Sequence, residues 1–550
     1  MLFSSWLDFG STPIVWWLIG HLFLGSLTIW LLIRKRPLAE AFFGGAFFII
    51  SGFMRLPVFL YNLPTNPDES QMLAQGLTLT VDPLLYRSVD PTTSGPINSY
   101  LLSFVHLLGF RLDFHVAHVL SWLLSIVAIY FLYQTLNYFF PKFITQLSVI
   151  PALVFFSFAQ DENYVHYYSE GIAIILLSYC VYLIARWSNL KQFRVSELIL
   201  FGLAEGLVVL CKIQALPLAF VLGVWSLILL VLLQRKKAIL YGGILSLSVA
   251  TVWGIWLGYM QANQLLNDFI FYYITANAQL KIHFSEGPSI GLFSLLLRSP
   301  KIIFSQSKEL RYFFFPFFLL GGVFIIKHFS KTAFTKIIHA NQYFWVMIAG
   351  YLLMVLAVIV RTGSFYPHHF LFFILPCTLL IGLFLQQLSF PGFYKWGILG
   401  TQLLFVGIGI KRILSHSSLN AYPTAYSRQN ELSAVGKAIL KYKKDSDYLV
   451  VWGWSCEYHV ETQMPQGVNE NHSVRTAMKH PLQPIYYQRY MKDLKRTHPK
   501  VFVDAITSKT LWMNDPKKYG HQNYPELALF IANNYTLKEE IDGVRVYVAR

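Results

Sequence analysis

Charge is what this chain has least of. Asp, Glu, Lys and Arg make up 13% of its 550 residues, against about 25% in a soluble domain. A soluble globular domain is therefore excluded as the bulk of the chain. Cysteine is scarce too: Cys180, Cys211 and Cys377 lie in apolar runs, and only Cys456 lies in a polar region. No pair has metal-ligand spacing, so neither a disulfide framework nor a zinc module is indicated. No glycine-rich phosphate loop follows a strand-like run. No Ser-His-Asp arrangement stands out, and there is no internal repeat. The first apolar run, 13–33, is too long for a signal-peptide core and has no small-residue cleavage site after it; it reads as a retained helix.

What the chain has instead is apolar mass. It is 55% hydrophobic and 17% aromatic, with a mean hydropathy of +0.47. Many runs approach or exceed the roughly 20 residues that span a bilayer. The fold class is a polytopic α-helical membrane protein. The net charge of +16 is no nucleic-acid footprint, because much of it lies in short tracts between apolar runs, the positive-inside pattern.

Those tracts orient the chain. Arg34-Lys35-Arg36 is placed in the cytoplasm, so the next run, 39–60, leads outward. Residues 96–110 are apolar but, at about fifteen, short for a crossing. Reading them as interfacial keeps both the Arg186–Arg194 tract and Arg235-Lys236-Lys237 inside. Runs at 115–139, 143–159, 167–185, 196–211, 213–233, 238–260, 312–326, 343–360, 370–387 and 396–410 bring the total to about twelve spans. Residues 261–311 form a long, partly amphipathic outer segment. Residues 1–414 are expected to be the membrane domain and 415–550 an extracytoplasmic α/β domain. Within the latter, 448–452 and 500–504 read as buried strands. Residues 537–549 read as a hairpin turning at Asp542-Gly543, and 431–442 and 525–533 as helices. Asn471-His-Ser and Asn534-Tyr-Thr match the glycosylation sequon, a pattern common by chance.

The residues with chemistry gather on the outer side of this map. Asp68 and Glu69 follow Asn66-Pro67, and Pro67 disfavours helix at Asn66. A carboxylate there serves as a general base toward an acceptor hydroxyl, or ligates a divalent cation. The plain alternative is a pair of acids opening a helix at 70–79. Asp161-Glu162 is a second acidic pair at another helix end. His166 and Glu170, four apart near a helix start, share a face, either in a site or simply paired. Lys212 is a lone cation between apolar runs, either snorkelling or, with Arg87 and Arg361, holding a phosphate. Asp90 lies in the same outer loop as Arg87. His368-His369 follows Arg361-Thr-Gly-Ser-Phe-Tyr-Pro367 and suits a phosphate or sugar, or a structural role. Glu205, mid-span, is left unassigned.

The layout resembles the GT-C glycosyltransferases, in the bacterial branch near the protein mannosyltransferases and lipid A aminoarabinose transferases (family 39-like). Arg55-Leu-Pro with Pro67-Asp68-Glu69 resembles the end of that family's first core helix and its acidic first outer loop. Gly95-Pro96-Ile-Asn-Ser-Tyr resembles its proline-led interfacial helix, here without the doubled proline and with Ser94 where a lysine is often found. Residues 161–170 resemble the second outer loop. Gly206 to Lys212 resembles a lysine-ended helix, Tyr366-Pro-His-His a late histidine-containing helix start, and Val451-Trp-Gly-Trp454 the outer domain of related chains.

The resemblance implies an inverting, membrane-embedded hexosyl- or pentosyltransferase. It would move a sugar from a polyprenyl-phosphate donor to a glycan, lipid or protein acceptor at the outer face of the cytoplasmic membrane. Asp68 would be the base, with Glu69 orienting substrate. Arg87, Lys212 and Arg361 would hold the phosphate; Asp161, Glu162 and His369 would line the sugar or acceptor site, with Asp90, His166, Glu170 and His368 beside them. A divalent cation, magnesium or manganese, would be held by Asp68 or Asp161 if anywhere; no nucleic acid is implied. The rival reading is a transporter or flippase for a lipid-linked or envelope glycan, whose ionisable sites would be expected near the bilayer midplane.

Overall fold

The computed structural model describes residues 13–60, 62, 64–159, 161–280, 292–329, 341–362, 365–388, 394–415, 432–444 and 447–550. Lys331 and Lys336, which follow the apolar run at 312–326 and are expected on the inner face, and Glu431, at the start of an expected helix, lie outside the described residues. The fold is mostly helical, and two compact units interleave along the chain. One comprises Met1–Leu60, His118–Trp253 and Ser289–Ser427; the other comprises Tyr61–Ala117, Gly254–Pro288 and Arg428–Arg550.

Each of the twelve apolar runs expected to cross is helical. Eight described helices are long and apolar enough to span: Trp16–Arg34, Phe114–Asn137, Glu170–Leu190, Ile213–Leu233, Arg235–Ala262, Glu309–Ile326, Gln342–Arg361 and Pro367–Gln387. Glu40–Met54 and Lys142–Phe158 are shorter apolar helices. The run at 39–60 is interrupted at Arg55, after which Leu56–Leu60 resumes the helix. Arg55 is buried, and its guanidinium donates to Phe156 O (Nη2 2.7 Å, Nε 3.1 Å) and to Tyr164 O (3.3 Å). It thus satisfies a carbonyl at the C-terminal end of helix Lys142–Phe158, where unpaired carbonyls and the helix dipole favour a cation. That helix is the centre of the first unit, packing against Glu40–Met54, Ile374–Gln387 and Tyr394–Leu414.

The second unit is built on a four-stranded sheet: β1 (Leu449–Trp452), β2 (Val501–Asp504), β3 (Tyr535–Ile541) and β4 (Val544–Ala549), in the order β1-β2-β4-β3. β1 and β2 are parallel; β4 is antiparallel to β2 and to β3. Val450, Trp452 and Phe502 face one core, while Leu449, Val451, Val501 and Val503 face another. Burial on both faces explains why β1 and β2 read as continuous apolar runs rather than alternating ones. The β3–β4 turn falls at Asp542-Gly543 as expected, both with positive φ (51° and 83°), the requirement of a two-residue type I′ hairpin.

Two helices of this unit carry the acidic loop. Pro67–Val81 starts three residues earlier than the expected 70–79. Asn66 caps it, its side chain accepting from Asp68 N at 3.0 Å, and Pro67 fills the first position, where its missing N–H costs nothing. Asp68 and Glu69 therefore lie in the first helical turn. Pro96–Leu107, the expected short helix, packs along it. Gly76 makes the approach close, since a Cβ there would meet Leu102 Cβ at 2.6 Å. The other side of that helix leaves Phe104, Leu107, Leu108 and Phe110 exposed.

Candidate active site

In the first unit, a buried ionic group forms where three membrane helices begin or end. Glu170 opens helix Glu170–Leu190, Lys212 closes helix Val195–Cys211, and His368 and His369 lie in the 3-10 turn Pro367–Phe373 that leads into Ile374–Gln387. Lys212 Nζ lies 2.8 Å from Glu170 Oε1 and donates to Ser169 Oγ at 2.6 Å; Ser169 in turn donates to Glu170 Oε2 at 3.2 Å. An ammonium carries three N–H groups, so one remains beyond these partners. His369 Nε2 lies 3.6 Å from Glu170 Oε1, and His369 Nδ1 is buried without a hydrogen-bond partner among the described residues. His368 Nδ1 donates to Asn163 Oδ1 at 3.3 Å, while Tyr366 stacks on its ring.

His166 and Glu170 do not share a helix face. The helix starts at Glu170, so His166 belongs to the preceding turn, where its Nδ1 donates to Glu162 O at 2.8 Å. His166 instead meets His368 edge-on, with ring centroids 6.0 Å apart. Asp161 caps the short helix Glu162–Val165, its Oδ1 accepting from Asn163 N and Nδ2 at 2.9 and 2.8 Å. Its own N–H donates to Glu309 Oε2 at 3.0 Å, and Arg412 lies 3.8 Å from Glu309 Oε1. Glu162 is exposed. Arg361, in the last turn of Gln342–Thr362, is exposed as well.

Glu170, His368 and His369 also form the group of described residues able to hold a metal ion, their ligand atoms all within 4.8 Å of one another. Two imidazoles and one carboxylate make a zinc-type donor set, rather than the oxygen-rich set of magnesium or manganese. Lys212 already places an ammonium against the carboxylate. Neither Asp68 nor Asp161 belongs to such a group among the described residues.

In the second unit, Glu69 is fully buried and accepts from Thr65 Oγ1 at 2.9 Å, whereas Asp68 is half-buried. Helix Glu457–Thr462, which follows β1, packs against their helix. Asn471 Nδ2 donates to Gln71 O at 3.0 Å and to Gln466 Oε1 at 3.1 Å; this asparagine is 2% exposed, so its sequon is closed to glycosylation. The Cys456 thiol is pushed up by burial and then by the charges of Glu457, Asp68 and Glu470. Those three carboxyls therefore lie within electrostatic reach of one sulfur. Burial lifts Glu457 and Glu470 each to about 7. Glu470 accepts from Arg475 N, Thr476 N and Thr476 Oγ1 at 2.7, 3.0 and 2.6 Å.

The other two expected residues of this unit are tied to the chain. Arg87 makes a two-point pair with Asp82 (Nη2–Oδ1 2.5 Å, Nε–Oδ2 3.1 Å). Asp90 is buried, accepts from Thr92 N at 2.8 Å and lies 3.8 Å from Arg475 Nη1. Desolvation raises its pKa despite that arginine. Arg475 also reaches Tyr486 OH (2.8 Å) and Asn277 Oδ1 (2.9 Å). A cavity of about 640 Å³ is lined by Arg111, Asp113, His115, Lys443 and Glu461. Lys443 and Arg111 there bond the last carbonyls of helix Glu457–Thr462, as cations at a helix C-terminus do.

Sequence reasoning missed Glu309, Arg412 and Asn163 in the first unit, and Cys456, Glu457, Glu470, His472 and Arg475 in the second. The Val451-Trp-Gly-Trp454 motif and the Asn471-His-Ser sequon were the signals near the second group.

No protein-family model and no curated protein matches the sequence. Solved structures do. ArnT from Cupriavidus metallidurans in the apo state superposes with a TM-score of 0.54 at 12% identity, over 91% of this chain and 96% of that one. The same protein bound to undecaprenyl phosphate gives 0.53 at 11% identity, over 92% and 98%. The likeness runs through nearly the whole of both chains, and at this identity it is a likeness of architecture: the chain is a multi-pass membrane protein with the GT-C fold.

Proposed function

We propose that this chain is an integral-membrane glycosyltransferase that moves a sugar from a polyprenyl-phosphate donor to a hydroxyl at the outer face of the cytoplasmic membrane. The observation that carries the reading is the buried Lys212–Glu170–His369 group at the ends of membrane helices in a chain with this fold. One of the two ArnT structures holds undecaprenyl phosphate, which supports a lipid-phosphate donor here. Residues 1–414 would carry the donor in the membrane, and 415–550 would lie on the extracytoplasmic side.

In this reading Asp68 takes the proton from the acceptor hydroxyl. The acceptor oxygen forms a bond to the anomeric carbon, the bond from that carbon to the phosphate oxygen breaks, and polyprenyl phosphate leaves with the electron pair. One displacement inverts the anomeric centre. Glu69, held by Thr65, orients the helix turn that presents Asp68. Lys212 gives its remaining N–H to the departing phosphate, with Arg361 as a second cation. Asp161, Glu162, His166 and His368 line the sugar side, while Arg87 and Asp90 brace the loop between the helices of the second unit.

The test is direct. The purified chain is incubated with a panel of polyprenyl-phosphate sugars and an envelope extract, and free polyprenyl phosphate is measured. Release with at least one donor, dependent on the extract, is expected. Movement of intact donor across vesicles with no release would establish the flippase reading instead.

A further inference from the structure

β1 and β2 are parallel neighbours, and in open α/β sheets ligands lie outside the carboxyl ends of parallel strands. Two tryptophans stand on the segments that leave those ends. Gly453, directly after β1, has φ +122°, and a Cβ on it would meet Ile506 Cδ1 at 3.1 Å; only glycine makes that exit easily, and it delivers Trp454. The segment after β2 carries Trp512 with φ +61°. For a bulky residue this is a strained backbone, kept only where the surroundings over-determine it. The two rings meet edge to face, centroids 4.6 Å apart at 73°. Trp454 also lies over His472, at 5.1 Å and 31°. Both tryptophans are partly exposed.

Packing on the sheet's core explains their partial burial. It does not explain the strained backbone of Trp512. Nor does it explain the indole Nε1 of Trp454, buried and without a hydrogen-bond partner among the described residues. A buried donor left unmade is costly, and a ligand acceptor would repay it. His472 Nδ1 is engaged by Val474 N at 3.1 Å and lies 3.3 Å from Glu470 Oε1, so its ring is held in place beside the indole.

We propose that Trp454 and Trp512 form a platform for one pyranose or furanose ring of a glycan, with the Trp454 indole N–H donating to one of its hydroxyls. The apolar C–H face of a sugar ring packs on an aromatic face, and an indole supplies the polar handle at its rim. Cys456, two residues past Trp454, feels the charge of Asp68, and in the glycosyl-transfer reading the platform would serve as the acceptor subsite. The platform rests on the glycosyl-transfer reading only for its naming as the acceptor subsite; the binding itself is measured without turnover.

The test uses the full chain in lipid nanodiscs and saturation-transfer NMR with soluble probes: methyl glycosides of glucose, galactose, mannose, N-acetylglucosamine and arabinose. At least one probe should receive saturation, strongest on the protons of one ring face. Trp512→Ala and Trp454→Ala should each reduce it at least tenfold; Trp454→Phe, which keeps the ring but loses the N–H, should reduce it less. If an alanine variant misfolds, Trp512→Phe takes its place, with an expected loss of several-fold. Polyprenyl-phosphate release is measured on the same variants, so failed binding and failed transfer are read separately. No saturation of any probe by the wild type, or undiminished saturation in the tryptophan variants, overturns the platform.

Discussion

Lys212 Nζ and Glu170 Oε1 lie 2.8 Å apart, with side chains 4% and 0% exposed, although the residues belong to the end of one membrane helix and the start of another. A pair buried this deeply is a constraint in both directions. Removing one partner strands a charge and typically costs about 3–5 kcal/mol, whereas removing both together is often nearly neutral.

That asymmetry separates stability from function. Lys212→Met alone should lower the melting temperature in detergent, and the double variant Lys212→Met/Glu170→Gln should recover most of the loss. Polyprenyl-phosphate release should stay low in the double variant, because the phosphate has lost its cation. Restored stability with restored release would show that Lys212 serves packing alone.

Sidedness is open to thiol labelling, helped by the burial of all four native cysteines. Ser508 and Ser196 are exposed. In intact cells Ser508→Cys should react with an impermeant maleimide, and Ser196→Cys, beside the basic tract at Arg194, should react only after permeabilisation. The reverse pattern would invert the map drawn from the positive-inside rule.

Glu470 makes the second unit pH-sensitive in a definite direction. Burial lifts its folded pKa to about 7 from an ordinary 4.5. Between those values the folded chain binds more protons than the unfolded one, so this group's contribution is most favourable at the acid end and declines as pH rises. Between pH 5 and 8 the melting temperature of Glu470→Gln should rise relative to that of the wild type as pH increases, since the variant lacks this decline. Equal slopes would place the sensitivity elsewhere.

What was legible in the sequence was local. Asp542-Gly543 between two alternating runs defines a hairpin, and the structure has it there. The Asn66-Pro67 pair carries both the cap and the first-turn proline of helix Pro67–Val81, so the three-residue error in its start came from weighting Pro67 as a helix stop. The pairing of Glu170 was not legible: Lys212 is its partner rather than His166, four residues away. Nothing in a window around Glu170 encodes a lysine beyond an entire intervening helix. Glu309 and Glu470 were missed for the same reason: each accepts from backbone N–H groups, and those belong to Asp161 in one case and to the turn at Arg475 and Thr476 in the other.

The central claim, that Asp68 is the base of a glycosyl transfer, turns on one variant. Asp68→Asn keeps the size of the side chain, and with Asn66 as the cap the lost charge in the first turn is worth only about 0.3–1 kcal/mol, so the fold should persist. General-base catalysis supplies about a hundred- to ten-thousand-fold in rate. The decisive measurement is the rate of polyprenyl-phosphate release by wild type and Asp68→Asn at saturating donor. A fall of that order, with unchanged melting temperature and donor binding, is the result expected; release by Asp68→Asn near the wild-type rate would contradict the account and move the search for the base to Asp161 and Glu162.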